Sequence, residues 1–215
     1  TRTEKIIRKG GNPLEITVRE TDLGVLESDV RATDLEDGLY LSRAWSLHRV
    51  GGAASLDALA RLPSASSVVE AQKILRQVTI SCNWLLADRD GNIGYQQSGL
   101  LPDRRHSGLH PVPAWEEKWR WQGFVPSEQL RSELNPPEGF LATANNELNP
   151  DGGPLVINLS MGSYRADRIR DLLSDCETCS VEDTQRVQND LLSLQAERFM
   201  SVLRPLLPES FAGRL

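Results

Sequence analysis

Residues 79–98 constrain the fold more than any other stretch of the chain. Residues 79–87 form a near-continuous apolar run with β-branched members, the pattern of a strand buried on both faces. Asp90-Gly91 follows, a dipeptide suited to a tight hairpin turn. Residues 93–98 then read as the returning strand. From Pro102 to Pro137 prolines recur, with Trp115, Trp119 and Trp121 among them. Large aromatics need something to pack on, so this excursion is predicted to be ordered loop rather than disorder. Residues 139–144 read as a short strand that ends on Asn145-Asn146. A strand stopping on two amides would present hydrogen-bond donors at the end of a sheet.

The remaining elements are predicted from period and punctuation. Residues 5–11 and 14–19 read as two strands around a Gly-Gly-Asn-Pro turn, with Ile16 and Val18 on a buried face. Residues 39–45 are another candidate strand. Residues 55–62 carry apolar side chains at helical spacing behind a Ser55 cap, and Pro63 stops them. Residues 66–77 form a second helix and residues 165–173 a third. Residues 155–159 are a further apolar run. Ser180 and Asp183 resemble a capping box, and the final helix runs to about Arg204, before Pro205. Strands joined mostly by hairpins, with helices outside, suggest an α+β fold. No repeat or low-complexity segment is visible, so a single domain over 1–215 is expected.

A net charge of -6 argues against a general nucleic-acid binder, which would show a basic face. No apolar run approaches the roughly 18–20 residues needed to cross a bilayer. The cysteines are Cys82, Cys176 and Cys179. Cys176 and Cys179 form a lone CxxC with no further ligands nearby for zinc. Read from sequence alone, a structural or incidental role is favoured over a disulfide or redox one. Cys82, inside an apolar run, reads as a small buried hydrophobe.

Several chemistries compete. Ser160-Met161-Gly162 after an apolar run resembles a nucleophile elbow, but Asn158 stands where the strained turn needs glycine. All three histidines (His48, His106, His110) precede Ser160, against the order of such a triad. Asp88-Arg89-Asp90-Gly91-Asn92 has the look of a calcium loop, yet glycine comes fourth and Gly99 twelfth, so a polar turn is the simpler reading. A non-catalytic binding or structural α+β module is the alternative to an enzyme. Trp119 and Trp121 read as packing rather than a substrate wall. The remaining option is an N-terminal nucleophile enzyme, whose own α-amine serves as the base for its side-chain hydroxyl or thiol. It needs no histidine and no acid.

The order of the motifs resembles the penicillin acylase family of N-terminal nucleophile hydrolases over nearly the whole chain. Asn83-Trp84 to Gly94-Tyr95, then Gly99, Pro102 and Arg104, then Trp121, Gly123 and Pro126, match closely. The hairpin that usually reads Thr-x-His-Gly-Pro is weaker, with Leu23 for the His and Val25 for the Pro. Val187-Gln188 to Asp190, with Ala196, resembles the helix closing this region. Gln188 and Asp190 are expected to make structural hydrogen bonds.

The resemblance implies part of an αββα sandwich of antiparallel sheets flanked by helices. It implies an amidohydrolase cleaving a linear amide, such as a β-lactam side chain or an acyl-homoserine lactone. It gives Asn145 the oxyanion-hole role and Arg168 the position that supports the site. It also implies that the nucleophile, an N-terminal Ser, lies outside this chain. Thr1 would then be a boundary well inside the β-chain, and the isolated piece inactive. Partners would be the α-chain, the N-terminal part of the β-chain and a small-molecule amide, with no nucleic acid or membrane. A periplasmic or secreted parent is implied. No cofactor is required. Structural calcium in the parent is weakly supported, because Asp151 has no clear acidic companion nearer Arg168.

Overall fold

The computed structural model describes residues 1–32, 34–48, 51–148, 160–176 and 178–207. The chain groups into two compact units. The first comprises Thr1–Ala65, Lys73–Cys82 and Gln97–Leu130; the second comprises Ser66–Gln72, Asn83–Gln96 and Arg131–Leu215.

In the first unit β1 (Arg2–Ile6) and β2 (Leu14–Val18) pair antiparallel, Arg2 opposite Val18 and Ile6 opposite Leu14. The hairpin begins at Arg2 rather than residue 5, and Gly10 supplies the positive φ (72°) of its loop. A small antiparallel sheet follows, in the order β3 (Glu20–Thr21), β4 (Gly24–Leu26) and β5 (Ser42–Arg43). Only Ser42–Arg43 of the candidate strand 39–45 joins a ladder, and Leu39, Leu41 and Trp45 are exposed.

Helix α1 (Gly52–Arg61) starts behind Gly51, a left-handed N-cap. Ser55 is therefore one turn inside and not the cap. Its hydroxyl, fully buried, accepts from the Thr79 backbone N–H at 2.8 Å and bonds the Thr79 hydroxyl at 2.6 Å. A buried serine reads as a cap in sequence because both uses satisfy one backbone donor. Pro63 ends the helix in a 3-10 turn, as its missing N–H requires. The excursion after Pro102 is ordered. Two 3-10 turns and a bridge between Pro102 and Phe124 fix it, with Asp103 N–H to Gly123 O at 3.0 Å and Val125 N–H to Leu101 O at 2.9 Å.

The second unit holds the first half of α2 (Val68–Leu75) and most of a sheet ordered β6 (Cys82–Ala87), β7 (Ile93–Ser98), β8 (Ser132–Leu134). The expected hairpin is present. Asp88 closes it: its Oδ1 accepts from the N–H groups of Asp90 (3.1 Å) and Asn92 (2.9 Å), and Gly91 takes φ 86°. Gln72 lies over the sheet and its Nε2 donates to Tyr95 O and Glu133 O, both at 2.9 Å. The helix can come this close because Gly94 has no side chain beneath it. A Cβ there would stand 2.3 Å from Val68 Cγ1.

Three expectations fail in this unit. Strand β6 is not buried on both faces: Leu85 is 52% exposed. An apolar run reports affinity for cover, not its presence. Residues 139–144 form no strand, because no described residue offers them a ladder. The last helix is two helices, α4 (Val181–Gln188) and α5 (Leu194–Leu203), after α3 (Tyr164–Ser174). Asn189 and Asp190 leave the helical path, and Ser193 starts a new one by accepting from Ala196 N–H at 3.1 Å. The Ser180–Asp183 capping box is formed. The apolar run 155–159 lies outside the described residues. Among the described residues no helix is long and apolar enough to cross a membrane.

Candidate active site

The two amides after residue 144 take opposite roles. Asn146 is 4% exposed; its Oδ1 accepts from Ala144 N–H at 3.2 Å and its Nδ2 donates to Glu147 O at 3.3 Å. It is a local structural clasp. Asn145 is exposed and sits at φ 60°, one of two non-glycine residues with positive φ in the described chain. The left-handed turn throws its carboxamide outward while the next side chain points in. Its backbone O accepts from Met161 N–H at 2.8 Å, which anchors the turn against the start of α3.

Arg165, on the first turn of α3, completes this arrangement. One Nη2 donates to Ala144 O at 2.7 Å and approaches Asn145 Oδ1 at 3.4 Å. A guanidinium has no acceptor, so the carboxamide atom facing it must be the oxygen. The Asn145 Nδ2 then faces away with its two donors. Thr143, two residues earlier, has a buried hydroxyl without a hydrogen-bond partner among the described residues.

Arg168, one turn further along α3, is engaged elsewhere. Its Nε and Nη2 donate to the two Asp190 oxygens at 2.9 and 2.8 Å, a bidentate pair that ties α3 to the break between α4 and α5. Bonding with Asp190 raises the pKa of Arg168, and the same bonds lower that of Asp190. The structure therefore brings Arg165, not Arg168, to Asn145. Ser160 donates to Glu147 Oε2 at 3.4 Å.

Each unit holds a cavity of its own. In the second unit about 820 Å³ is walled by Leu85, Ile93, Phe140, Leu141 and Leu173, with Cys176 and Cys179 at the same wall. In the first about 690 Å³ is lined by Tyr40, Arg104, His106, Trp115, Trp119 and Trp121. Trp119 meets the His106 ring edge-on at 6.2 Å between centroids, and Trp121 meets Phe124 at 6.3 Å. Burial, then the nearby Arg104, lowers the His106 pKa. Among the described residues no group of three or more His, Cys, Asp or Glu is disposed to hold a metal ion. Asp151 lies outside the described residues.

Residues 1–214 match the family model described as penicillin amidase. The chain belongs to the penicillin amidase family. Its relatives include an acyl-homoserine lactone acylase, QuiP, of Pseudomonas syringae pv. syringae. That protein is 36% identical over 174 residues, covering 79% of this chain and 20% of the relative. Penicillin acylase 2 proenzyme of a Pseudomonas species (strain SE83) is 31% identical over 195 residues, covering 89% of the chain and 24% of the relative. The chain thus spans about a fifth to a quarter of the curated relatives it matches. Among solved structures, a thermostable penicillin G acylase from Alcaligenes faecalis superposes with a TM-score of 0.73 at 25% identity. The match covers 97% of this chain and 38% of that one. The penicillin amidase chain thus shares that enzyme's mixed α+β fold of antiparallel sheets and helices.

Proposed function

We propose that residues 1–215 are an internal stretch of an acylase β-chain and carry its oxyanion side chain. The complete enzyme hydrolyses a linear amide of an acylated amine, such as a β-lactam side chain or an acyl-homoserine lactone. The single observation that carries this reading is the Asn145 carboxamide, exposed on a left-handed turn with its oxygen toward Arg165. The donor face of that amide is left for a ligand.

In this mechanism the N-terminal Ser of the β-chain, outside this chain, attacks the amide carbonyl with its own α-amine as base. Negative charge grows on the carbonyl oxygen. Asn145 Nδ2 donates to it and, being neutral, does so at any working pH. Arg165 acts through Asn145: it fixes which face of the amide points outward and adds positive charge nearby. Collapse releases the amine and leaves an acyl-enzyme, which water then cleaves. Arg168 is a positioning residue whose pair with Asp190 holds α3 in place. The family match supports the reaction class, and the names of the relatives support both substrate classes.

Full-length enzyme carrying Asn145→Ala is expected to lose about 10²–10³-fold in kcat with little change in KM, the loss typical of one oxyanion donor. A change confined to KM would assign Asn145 to substrate binding and sink the proposal. The 215-residue chain alone should give neither burst nor turnover on a chromogenic anilide.

A further inference from the structure

The pair Cys176 and Cys179 has no part in the chemistry above. It lies between two helices whose ends are both defined. Asp175 caps the C-terminus of α3, and Cys176 N–H continues the turn by donating to Leu173 O at 3.1 Å. Ser180 caps the N-terminus of α4 with an extended backbone (φ -82°, ψ 174°). The two cysteines are therefore the last position of one helix end and the first before the next cap. Both side chains reach the wall of the same 820 Å³ cavity. Both are free thiols in this structure, Cys176 half-buried and Cys179 exposed. Zinc is a poor occupant, since no third ligand is disposed near them among the described residues. Cys82 lies on β6 and does not line this cavity.

We propose that Cys176 and Cys179 are a disulfide-forming pair that locks the α3–α4 junction. The oxidant is a disulfide, either a small molecule such as oxidised glutathione or a protein disulfide. Cys179, the exposed thiol, loses its proton to solvent and attacks one sulfur of the external disulfide, releasing one thiolate. The mixed disulfide on Cys179 is then attacked by Cys176, which also gives its proton to solvent. The second external thiolate leaves, and the Cys176–Cys179 bond forms. Two protein thiols are oxidised, one external disulfide is reduced to two thiols, and the released protons balance the two thiolates. The order follows from the surroundings. The hydrogen bond with Cys179 comes first, then burial, then the charges of Cys179 and Asp183; together they push the Cys176 thiol up to about 11, with Arg186 opposing. Cys176 therefore stays protonated at pH 7 and serves as the resolving thiol.

The bond would add a second tie between α3 and the segment after it. Arg168–Asp190 already links α3 to the α4–α5 break, and the disulfide would fix the opposite end of α4. Arg165 rides on the first turn of the same α3. The pair thus bears on the stability of the helix that holds the oxyanion residue in place.

The test uses the full chain, reduced and then equilibrated with oxidised glutathione, trapped with maleimide, and mapped by mass spectrometry. The expected product has Cys176 and Cys179 protected together in one linked species lighter by two hydrogens, with Cys82 still alkylated. The linked form should melt about 3–6 °C higher, as a short closed ring predicts, and fall back on reduction. Cys179→Ser should fold with the same circular dichroism and lose the redox-dependent shift. A stable glutathione adduct on Cys179 without a cross-link would overturn the proposal. So would pairing with Cys82, or a redox shift that survives in Cys179→Ser.

Discussion

A carboxamide can steady an oxyanion only if its nitrogen faces the reacting carbonyl, and at Asn145 a neighbouring cation settles that choice. The Arg165 guanidinium sits 3.4 Å from Oδ1 and 2.7 Å from Ala144 O, so removing it would free the amide to rotate. Arg165→Ala in the full-length enzyme should therefore lower kcat by up to about 100-fold, the cost of a misplaced catalytic group. Arg168→Ala should instead lower the melting temperature and spare most of kcat, because its bidentate partner is Asp190. Steady-state kinetics beside thermal melts separate the two; equal kinetic losses would show that the α3 backbone, not Arg165, positions the amide. Asn145 is singled out in the sequence by its resemblance to the family's strand end; the Asn-Asn dipeptide taken by itself reads equally as a turn. Arg165 was not. Arg165 and Arg168 are one turn apart, and both fit a basic helix start. Which one reaches residue 145 is a tertiary contact, and side-chain type does not encode it.

Elements were legible where a local rule sufficed. Asp88 and Gly91 close their turn with their own atoms, and Ser180 with Asp183 closes its cap, so no distant residue is needed to read either. The burial of β6 and the absence of a strand at 139–144 depend on what lies alongside, which a one-dimensional pattern does not carry. The contact between α2 and the sheet falls between these cases, since it hangs on one missing methyl. A Cβ on Gly94 would stand 2.3 Å from Val68 Cγ1 and 3.2 Å from Gln72 Nε2. Gly94→Ala should cost about 1–3 kcal/mol in denaturant unfolding, and a loss below about 0.5 kcal/mol would mean the helix shifts freely. The α4 cap gives a pH signature. The Ser180 backbone N–H, its hydroxyl and Arg186 hold the Asp183 pKa at about 2, below its usual 3.8. A depressed carboxylate stabilises the fold fully above its unfolded value and loses that contribution as pH falls through the folded one. The stability gap between wild type and Asp183→Asn should thus be constant at neutral pH and close between about pH 4 and pH 2. A gap that persists at the acid end would assign the effect to shape rather than charge.

At the scale of the molecule, the second unit leaves large apolar side chains in solvent. Leu85 on β6 and Leu134 on β8 are exposed, as are Phe199 and Leu203 on α5, and Leu191 between α4 and α5 is 94% exposed. Single exposed leucines are ordinary, but this many large apolar side chains exposed in one unit are more than a lone surface residue. The chain matches only 38% of the solved penicillin G acylase, which leaves ample polypeptide to provide that cover. Burial of such surface contributes roughly 25 cal/mol per Å², so a complementary segment would bind and raise the stability of this one. The chain expressed alone should therefore bind a hydrophobic dye and self-associate at micromolar concentration. If the chain is the internal acylase segment proposed above, co-expression with the remaining segments should abolish both and produce a single particle with amidase turnover. Leu85→Lys together with Leu134→Lys should reduce dye binding by the chain alone yet impair assembly of the complete enzyme. A monodisperse, dye-silent monomer from the wild-type chain would mean that this surface is covered from within. The proposal of an internal acylase segment would then lose its physical support, whatever the kinetics of Asn145 variants show.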